Sequence, residues 1–349
     1  MPIELNLKHH QILEFVKANP ELSSKEIHDG LQMELSYATA KRLLTDLIAE
    51  NLVGITGQGK ATKYQLSEAY ELLYPVEAEE YFKKEIDERK IKTGFNHTLI
   101  NGLLTNVALF THEEVDHLEE LQKNYTANIS KLSESEYKKE FERLAIDLSW
   151  KSSQIEGNTY SLLETERLLK DKETAAGKTK DEAVMLLNHK EALDFIIANP
   201  SYVIPLSVAR IEDIHQVLMK ELDVDKNIRK RAVGISGTNY KPLDNEHQIR
   251  EALEDMCTLV NKKENVFEKS LLLLVLLSYI QAFADGNKRT ARIISNAMLI
   301  HNNFCPISFR TIDSLEYKKA MLIFYEQNNI GAFKRIFIGQ FEFAVKTYF

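Results

Sequence analysis

The stretch Phe283-Ala284-Asp285-Gly286-Asn287-Lys288-Arg289-Thr290-Ala291-Arg292 decides how the rest of this chain is read. It follows a run from Val266 to Ile280 so rich in apolar residues that it must form a helix buried on most faces, which delivers the chain to Gln281. Gly286 and Asn287 tolerate the left-handed backbone that a sharp turn demands, so the helix should break after Phe283 and a new one run from Arg289 to Ile300. A turn whose N–H groups point outward at a helix N-terminus is a ready anion site. Lys288, Arg289 and Arg292 add positive charge, the two arginines standing three apart on neighbouring faces of one turn. Asp285 adds a carboxylate, and one carboxylate plus nucleotide phosphates is the usual way to hold Mg2+. A capped pair of helices with surface charges would explain any one of these features, but less easily all of them within ten residues.

The remaining composition narrows the setting. A chain of 349 residues suits two or three domains. Only 13 Gly and 7 Pro are few for a turn-rich sandwich or barrel, so helix should dominate. Cys257 and Cys305 have no partner spacing for zinc or a redox pair and read as buried thiols of a reducing compartment. The opening Met-Pro-Ile-Glu-Leu-Asn lacks a basic segment followed by an apolar one, so a cytoplasmic location is expected. The apolar run Leu271 to Ile280 is about half the roughly 20 residues a bilayer needs, which argues for a core helix and against any membrane association. A formal net charge of −8 opposes general attraction to nucleic acid or anionic lipid, so any DNA contact must be local.

Residues 1–68 carry the pattern of three helices and a β-hairpin. The helices are expected near Leu7 to Ala18, after Ser23-Ser24-Lys25-Glu26-Ile27, and near Tyr37 to Glu50. The strands are Leu52-Val53-Gly54-Ile55-Thr56 and Thr62-Lys63-Tyr64-Gln65-Leu66 about the turn Gly57-Gln58-Gly59. This segment resembles a winged helix-turn-helix, which would set Lys41 and Arg42 of the third helix and Lys60 and Lys63 of the wing against DNA. Seven Lys and Arg against nine Asp and Glu leave it near −2, poor for neutralising phosphates. DNA binding and a protein-docking or dimerisation role, a homodimer included, both stay open. Residues 69–150 read as a helical connecting region with Pro75 as its break. Within it, Glu77 to Lys92 reads as a solvated helix face without chemistry, and Tyr137 to Trp150 as a helix packing through Phe141, Leu144, Ile146 and Leu148.

The segment from Gln281 to Arg292 resembles the signature of the Fic (Fic/Doc) family, H-P-F-x-[DE]-G-N-G-R-x-x-R on a helix-loop-helix. The resemblance extends from about Gly94 to Phe349 and implies a mainly α fold. Its parts are a Fic-type helical core over residues 151–349 with a small β-hairpin flap, preceded by the winged helix-turn-helix. It assigns Phe283, Asp285, Gly286, Asn287, Lys288, Arg289 and Arg292 to the nucleotide, ATP with Mg2+ at Asp285. Upstream, Ser152, Glu156 and Gly157 stand at the fixed positions of the family's inhibitory helix, [ST]-x-x-x-E-[GN], here near residues 148–158. The resemblance implies that Glu156 pairs with Arg292 where the nucleotide γ-phosphate would lie; carboxylate and phosphate compete for the same planar fork. The stretch Ile228 to Pro242 resembles the family's flap. Val233 and Ile235 alternate before a Gly237-Thr238-Asn239 turn, which suggests a hairpin, and its edge, with Gly234, Ser236 and Tyr240, would dock a target protein.

Two positions depart from the signature. Gln281 stands where most Fic enzymes, protein adenylyltransferases, have the histidine that takes the proton from a target hydroxyl. An amide does not titrate near neutral pH, and general base catalysis is worth typically ~10²–10⁴ in rate. Lys288 stands where glycine is commonest, as in the Doc branch that transfers the γ-phosphoryl group, although Arg292, which that branch lacks, is present. The expectation is an ATP-binding, autoinhibited adenylyltransferase-like protein with weak or altered activity. The alternatives are a nucleotide-sensing DNA-binding regulator without transferase activity and a Doc-like phosphotransferase.

Overall fold

The computed structural model describes residues 5–349, the side chain of Lys60 excepted. Three helices, α1 (Leu7–Ala18), α2 (Ser24–Gly30) and α3 (Tyr37–Ala49), precede strands β1 (Val53–Thr56) and β2 (Lys63–Leu66). Short turns α4 (Tyr70–Leu73), α5 (Ala78–Tyr81) and α6 (Leu104–Asn106) follow. The longer helices are α7 (His112–Ile129), α8 (Glu134–Ile155), α9 (Leu162–Asp171), α10 (Lys180–Ala198), α11 (Val208–Leu218), α12 (Glu246–Lys262), α13 (Val266–Ile280), α14 (Asn287–His301), α15 (Ser314–Gln327) and α16 (Gly331–Tyr348). The chain divides into two units, Met1–Pro75 with Gly102–His117, and Val76–Asn101 with Leu118–Phe349.

In the first unit, α2 begins where the sequence places its start, with Ser23 accepting from Glu26 N–H and Glu26 reaching back to Ser23 N–H, a reciprocal cap. Ala40, Leu43, Leu44 and Leu47 recur at helical spacing and are the buried face of α3. The strands pair antiparallel, Val53 opposite Leu66 and Thr56 opposite Lys63.

The second unit is built round α13. Every residue from Ser270 to Ile280 is buried, as an all-round apolar helix requires. Helix α14 packs against it and is itself buried along most of its length. Where the two approach, the hydroxyls of Ser270 and Ser295 lie 2.7 Å apart and each is 3.0 Å from the other's carbonyl. Small side chains let the backbones close, and each hydroxyl is satisfied across the contact. Among the described residues no helix is long and apolar enough to cross a membrane.

Two expectations fail here for one reason, namely backbone and charge finding partners elsewhere. Residues 77–92 are not a solvated helix: beyond α5 there is only one 3-10 turn, Ile86–Glu88. Arg89 is buried against an equally buried Glu326, Nη1 to Oε1 at 3.1 Å, and the Tyr81 hydroxyl donates to the other carboxylate oxygen at 2.6 Å. The flap is not a hairpin either, since residues 228–242 carry no strand and the one ladder among the described residues is β1–β2. The N–H of Arg229 donates to Ala282 O at 3.0 Å, that of Lys241 to Thr93 O at 2.8 Å, and Gly237 O accepts from Arg89 at 2.8 Å. These groups are spent on neighbours and not on each other, leaving an extended strap.

Breaking one half of a buried ion pair costs about 3–5 kcal/mol because the other charge stays buried alone. Arg89→Met should therefore lower the urea midpoint of the protein markedly, and Arg89→Met with Glu326→Met should regain most of the loss. A double variant as unstable as the single would mean that packing, not the charge, is what Arg89 contributes.

Candidate functional site

Helix α13 ends at Gln281, whose backbone is left-handed (φ 52°, ψ 55°). The side chain of Gln281 turns back on its own helix: Nε2 donates to Ser278 O at 2.6 Å and Oε1 accepts from Asn287 Nδ2 at 3.2 Å. Asn287 also closes the loop on itself, accepting from Phe283 N–H at 2.9 Å and donating to Phe283 O at 2.8 Å. Gly286, the cap of α14, has φ 79°. A Cβ there would stand 2.6 Å from Met219 Cε and 3.3 Å from His215 Nε2, so both backbone and space demand glycine. Asp285 accepts from Gly286 N–H with one oxygen and from Arg289 Nη2, at 2.8 Å, with the other.

The arginines lie beneath this loop. Arg289 is buried, and its Nε and Nη1 have no hydrogen-bond partner among the described residues. Arg292 is wholly buried beside the ring of Tyr317, 5.3 Å from its centre. Its Nε donates to Ser152 Oγ at 2.8 Å, and its Nη2 to Ser152 O at 3.0 Å and to Glu156 Oε1 at 2.8 Å. Glu156 caps the C-terminus of α8, just before the chain turns at Gly157, where φ is 101° and the N–H of Asn158 returns to Ser153 O. Its second oxygen, Oε2, lies 3.3 Å from Lys288 Nζ. Burial would raise the Glu156 carboxyl, but Arg292, Lys288 and Arg289 outweigh it and hold the pKa at about 2.

Glu156, Gln281, the loop Asp285–Lys288, and Gly234, Ile235 and Ser236 of the strap all line one cleft of about 450 Å³. Not every expected residue joins them. Tyr240 is buried, donating to Tyr279 O at 3.0 Å and stacking on the Tyr279 ring, so it anchors the strap and offers no docking face. Val233 is half-buried outside the cleft lining, and Gly237 is held by Arg89. Phe283 is buried under the loop. In the first unit, Lys63 pairs with Glu26 at 3.0 Å, Arg42 with Asp46 at 3.5 Å, and Lys41 sits over the Tyr37 ring at 5.9 Å. The side chain of Lys60 lies outside the described residues.

Two residues of the site escaped the sequence reading. His215 stacks on Phe283 with centroids 3.6 Å apart, its ring nitrogens 3.1 Å from Lys226 O and 3.0 Å from Asp285 O, and burial lowers its pKa. Arg229 gives its guanidinium to the carbonyls of Gln281 (2.6 Å), Arg231 (2.7 Å) and Leu243, fastening the strap to the end of α13. Neither stands out in sequence: His215 lies between Ile214 and Gln216, and Arg229 opens the basic run Arg229-Lys230-Arg231.

This fold is shared with solved Fic structures. Fic-1 of Caenorhabditis elegans (residues 134–508) superposes with a TM-score of 0.59 at 20% identity, over 68% of this chain and 72% of that one. A Fic domain containing signaling protein of Bacteroides thetaiotaomicron does so with a TM-score of 0.57 at 17% identity, over 66% and 95%. Residues 205–299 match the Fic/DOC family model, and the chain thus carries a Fic/DOC family domain that includes the loop and both arginines. Among curated relatives, protein adenylyltransferase Fic of Nematostella vectensis is 30% identical over 175 residues, 48% of this chain and 40% of that protein. Protein adenylyltransferase fic-1 of C. elegans is 26% identical over 171 residues, 47% and 33%. The matched region spans well under half the length of either relative.

A carboxyl whose folded pKa is depressed contributes stability that is complete above its ordinary value, 4.5, and is lost as pH falls toward about 2. The unfolding free energy of the parent should exceed that of Glu156→Gln at pH 7, and the difference should shrink steadily below about pH 4.5. A difference unchanged between pH 7 and pH 3 in denaturant titrations would show that the charge on Glu156 does not matter to the fold.

Proposed function

We propose that this chain binds ATP in the cleft between loop and strap, in the manner of a protein adenylyltransferase, and that Glu156 restrains it. The observation that carries the reading is the contact of Glu156 Oε1 with the buried Arg292, 2.8 Å, at the rim of a cleft framed by a helix N-terminus. A carboxylate on a buried guanidinium stands in for a phosphate oxygen, so the γ-phosphate of ATP and Glu156 would compete for one cation. The relatives named protein adenylyltransferase support ATP as the nucleotide.

Asp285 fits a single-carboxylate role toward Mg2+: its side chain is more than half exposed at the cleft, and no group of three or more His, Cys, Asp or Glu among the described residues could cage a metal alone. When bound with the phosphates, the ion would neutralise part of their charge. The strap, exposed at Gly234 and Ser236, is suited to lie against an extended target segment. Transfer forms a bond from a target hydroxyl oxygen to the α-phosphorus and breaks the bond to pyrophosphate, and the hydroxyl proton must leave. Gln281 cannot take it, so the proton must pass to water, to the leaving pyrophosphate or to some other base, and transfer is weak or lost without one.

A second reading has its own support. Both ends of the Gln281 amide are engaged, by Ser278 O and by Asn287, which suits a residue that braces the loop in a protein that senses a nucleotide without turning it over. The three helices and hairpin of residues 7–66 have the order of a winged helix-turn-helix. With a net charge near −2 over residues 1–68, that unit is poorly suited to neutralising phosphates, and protein docking stays open beside DNA binding.

Calorimetry should find ATP with Mg2+ bound at least about tenfold more tightly by Glu156→Gly than by the parent, a difference of about 1.4 kcal/mol, and Arg292→Ala should abolish the gain. Gln281→His with Glu156→Gly should pass label from α-labelled ATP to itself or to lysate proteins, well above either single variant. Label passing solely from the γ position would make the chain a phosphotransferase, and no transfer by a folded, ATP-binding double variant would favour sensing.

A further inference from the structure

Glu156 is held by two cations of different kinds. Arg292 is wholly buried and fixed by Ser152, so its grip on Oε1 belongs to the packed interior of α8 and α14. Lys288 stands in the first turn of α14, its side chain about a quarter exposed and lining the cleft, with Nζ 3.3 Å from Oε2. Each carboxylate oxygen thus has its own cation, one on the interior side and one on the side from which a ligand enters. A lysine is a point charge on a flexible four-carbon stem and can follow either of two anions, whereas the guanidinium here cannot move without unpacking α8.

We infer that Lys288 is the second half of the latch on Glu156 and sets how readily an incoming phosphate displaces that carboxylate. The inference rests on the nucleotide-binding reading and adds a regulator to it. An anion entering the cleft meets Lys288 before it meets Arg292, and drawing the ammonium away from Oε2 leaves Glu156 on Arg292 alone. Release would then proceed in two steps, the lysine contact first. Lys288 is therefore coupled to Glu156 in the latched protein, whereas toward the phosphates it acts as an ordinary cleft cation.

The test is a double-mutant cycle on the full chain with Lys288→Met, which keeps the stem and removes the charge, and Glu156→Gly. Calorimetry with ATP and Mg2+ should show Lys288→Met loosening binding severalfold in the Glu156→Gly background. In the parent background the same change should loosen it at least threefold less, or tighten it. The urea midpoint gives a readout that needs no nucleotide: Lys288→Met should lower it in the parent and leave it nearly unchanged when Glu156 is already glycine. Additive effects in either measurement overturn the inference. If Glu156→Gly binds ATP but the two sites are additive, only the role of Lys288 falls. If no folded variant binds ATP, the nucleotide reading falls and takes this one with it.

Discussion

Nε and Nη2 of the wholly buried Arg292 take their acceptors from α8 and its C-terminal cap, and the contacts of this one guanidinium link α8, α14 and α15. Its ring neighbour Tyr317 comes from α15, its hydroxyl and carbonyl acceptors from Ser152 of α8, and its counter-charge from Glu156, the residue that caps the C-terminus of α8. The loss of hydration at such a group is of several kcal/mol and is offset only by well-formed contacts. Three helices are thereby fixed on one side chain. On the proposed reading, Glu156 leaves when another anion takes its place on Arg292.

The loop beside Arg292 is braced as firmly. Asn287 closes it on Phe283, His215 lies under it with Asp285 O, and Gly286 takes a backbone and a space that no other residue could share. Arg229 ties the strap to the carbonyl of Gln281. The loop and strap are thus braced by their neighbours, and Glu156, Asp285, Lys288 and Lys318 are the charged side chains that line the cleft. On the proposed reading this is what a latch needs, because a ligand can shift an equilibrium only through contacts that differ between two states.

The position of Gln281 is where positioning and chemistry separate. Its left-handed backbone and its bonds to Ser278 and Asn287 serve to end α13 and start the loop. That role does not require a titratable group. On the proposed reading a histidine there could do both tasks, whereas glutamine does the first and cannot itself take the proton of a target hydroxyl.

Much of this was legible in sequence because it is local. The apolar run Leu271 to Ile280, the Gly286-Asn287 break and the start of α2 at Ser23 are written in neighbouring residues, and the structure has them where spacing puts them. The pairing of Glu156 with Arg292 could be anticipated from two motifs 136 residues apart, but only through a resemblance, since spacing alone does not say which charges meet. What tertiary structure alone decided are the partners that lie far along the chain. Lys288 turned to Glu156, Arg89 to Glu326 and Gly237, and Arg229 to three carbonyls. A charged side chain in a polar stretch looks solvated until the fold removes the water, and an alternating stretch looks like a strand until its N–H and C=O groups find acceptors and donors elsewhere. Local preference determined the helices and the loop, while burial, which depends on everything packed around a residue, determined which charges had to find one another.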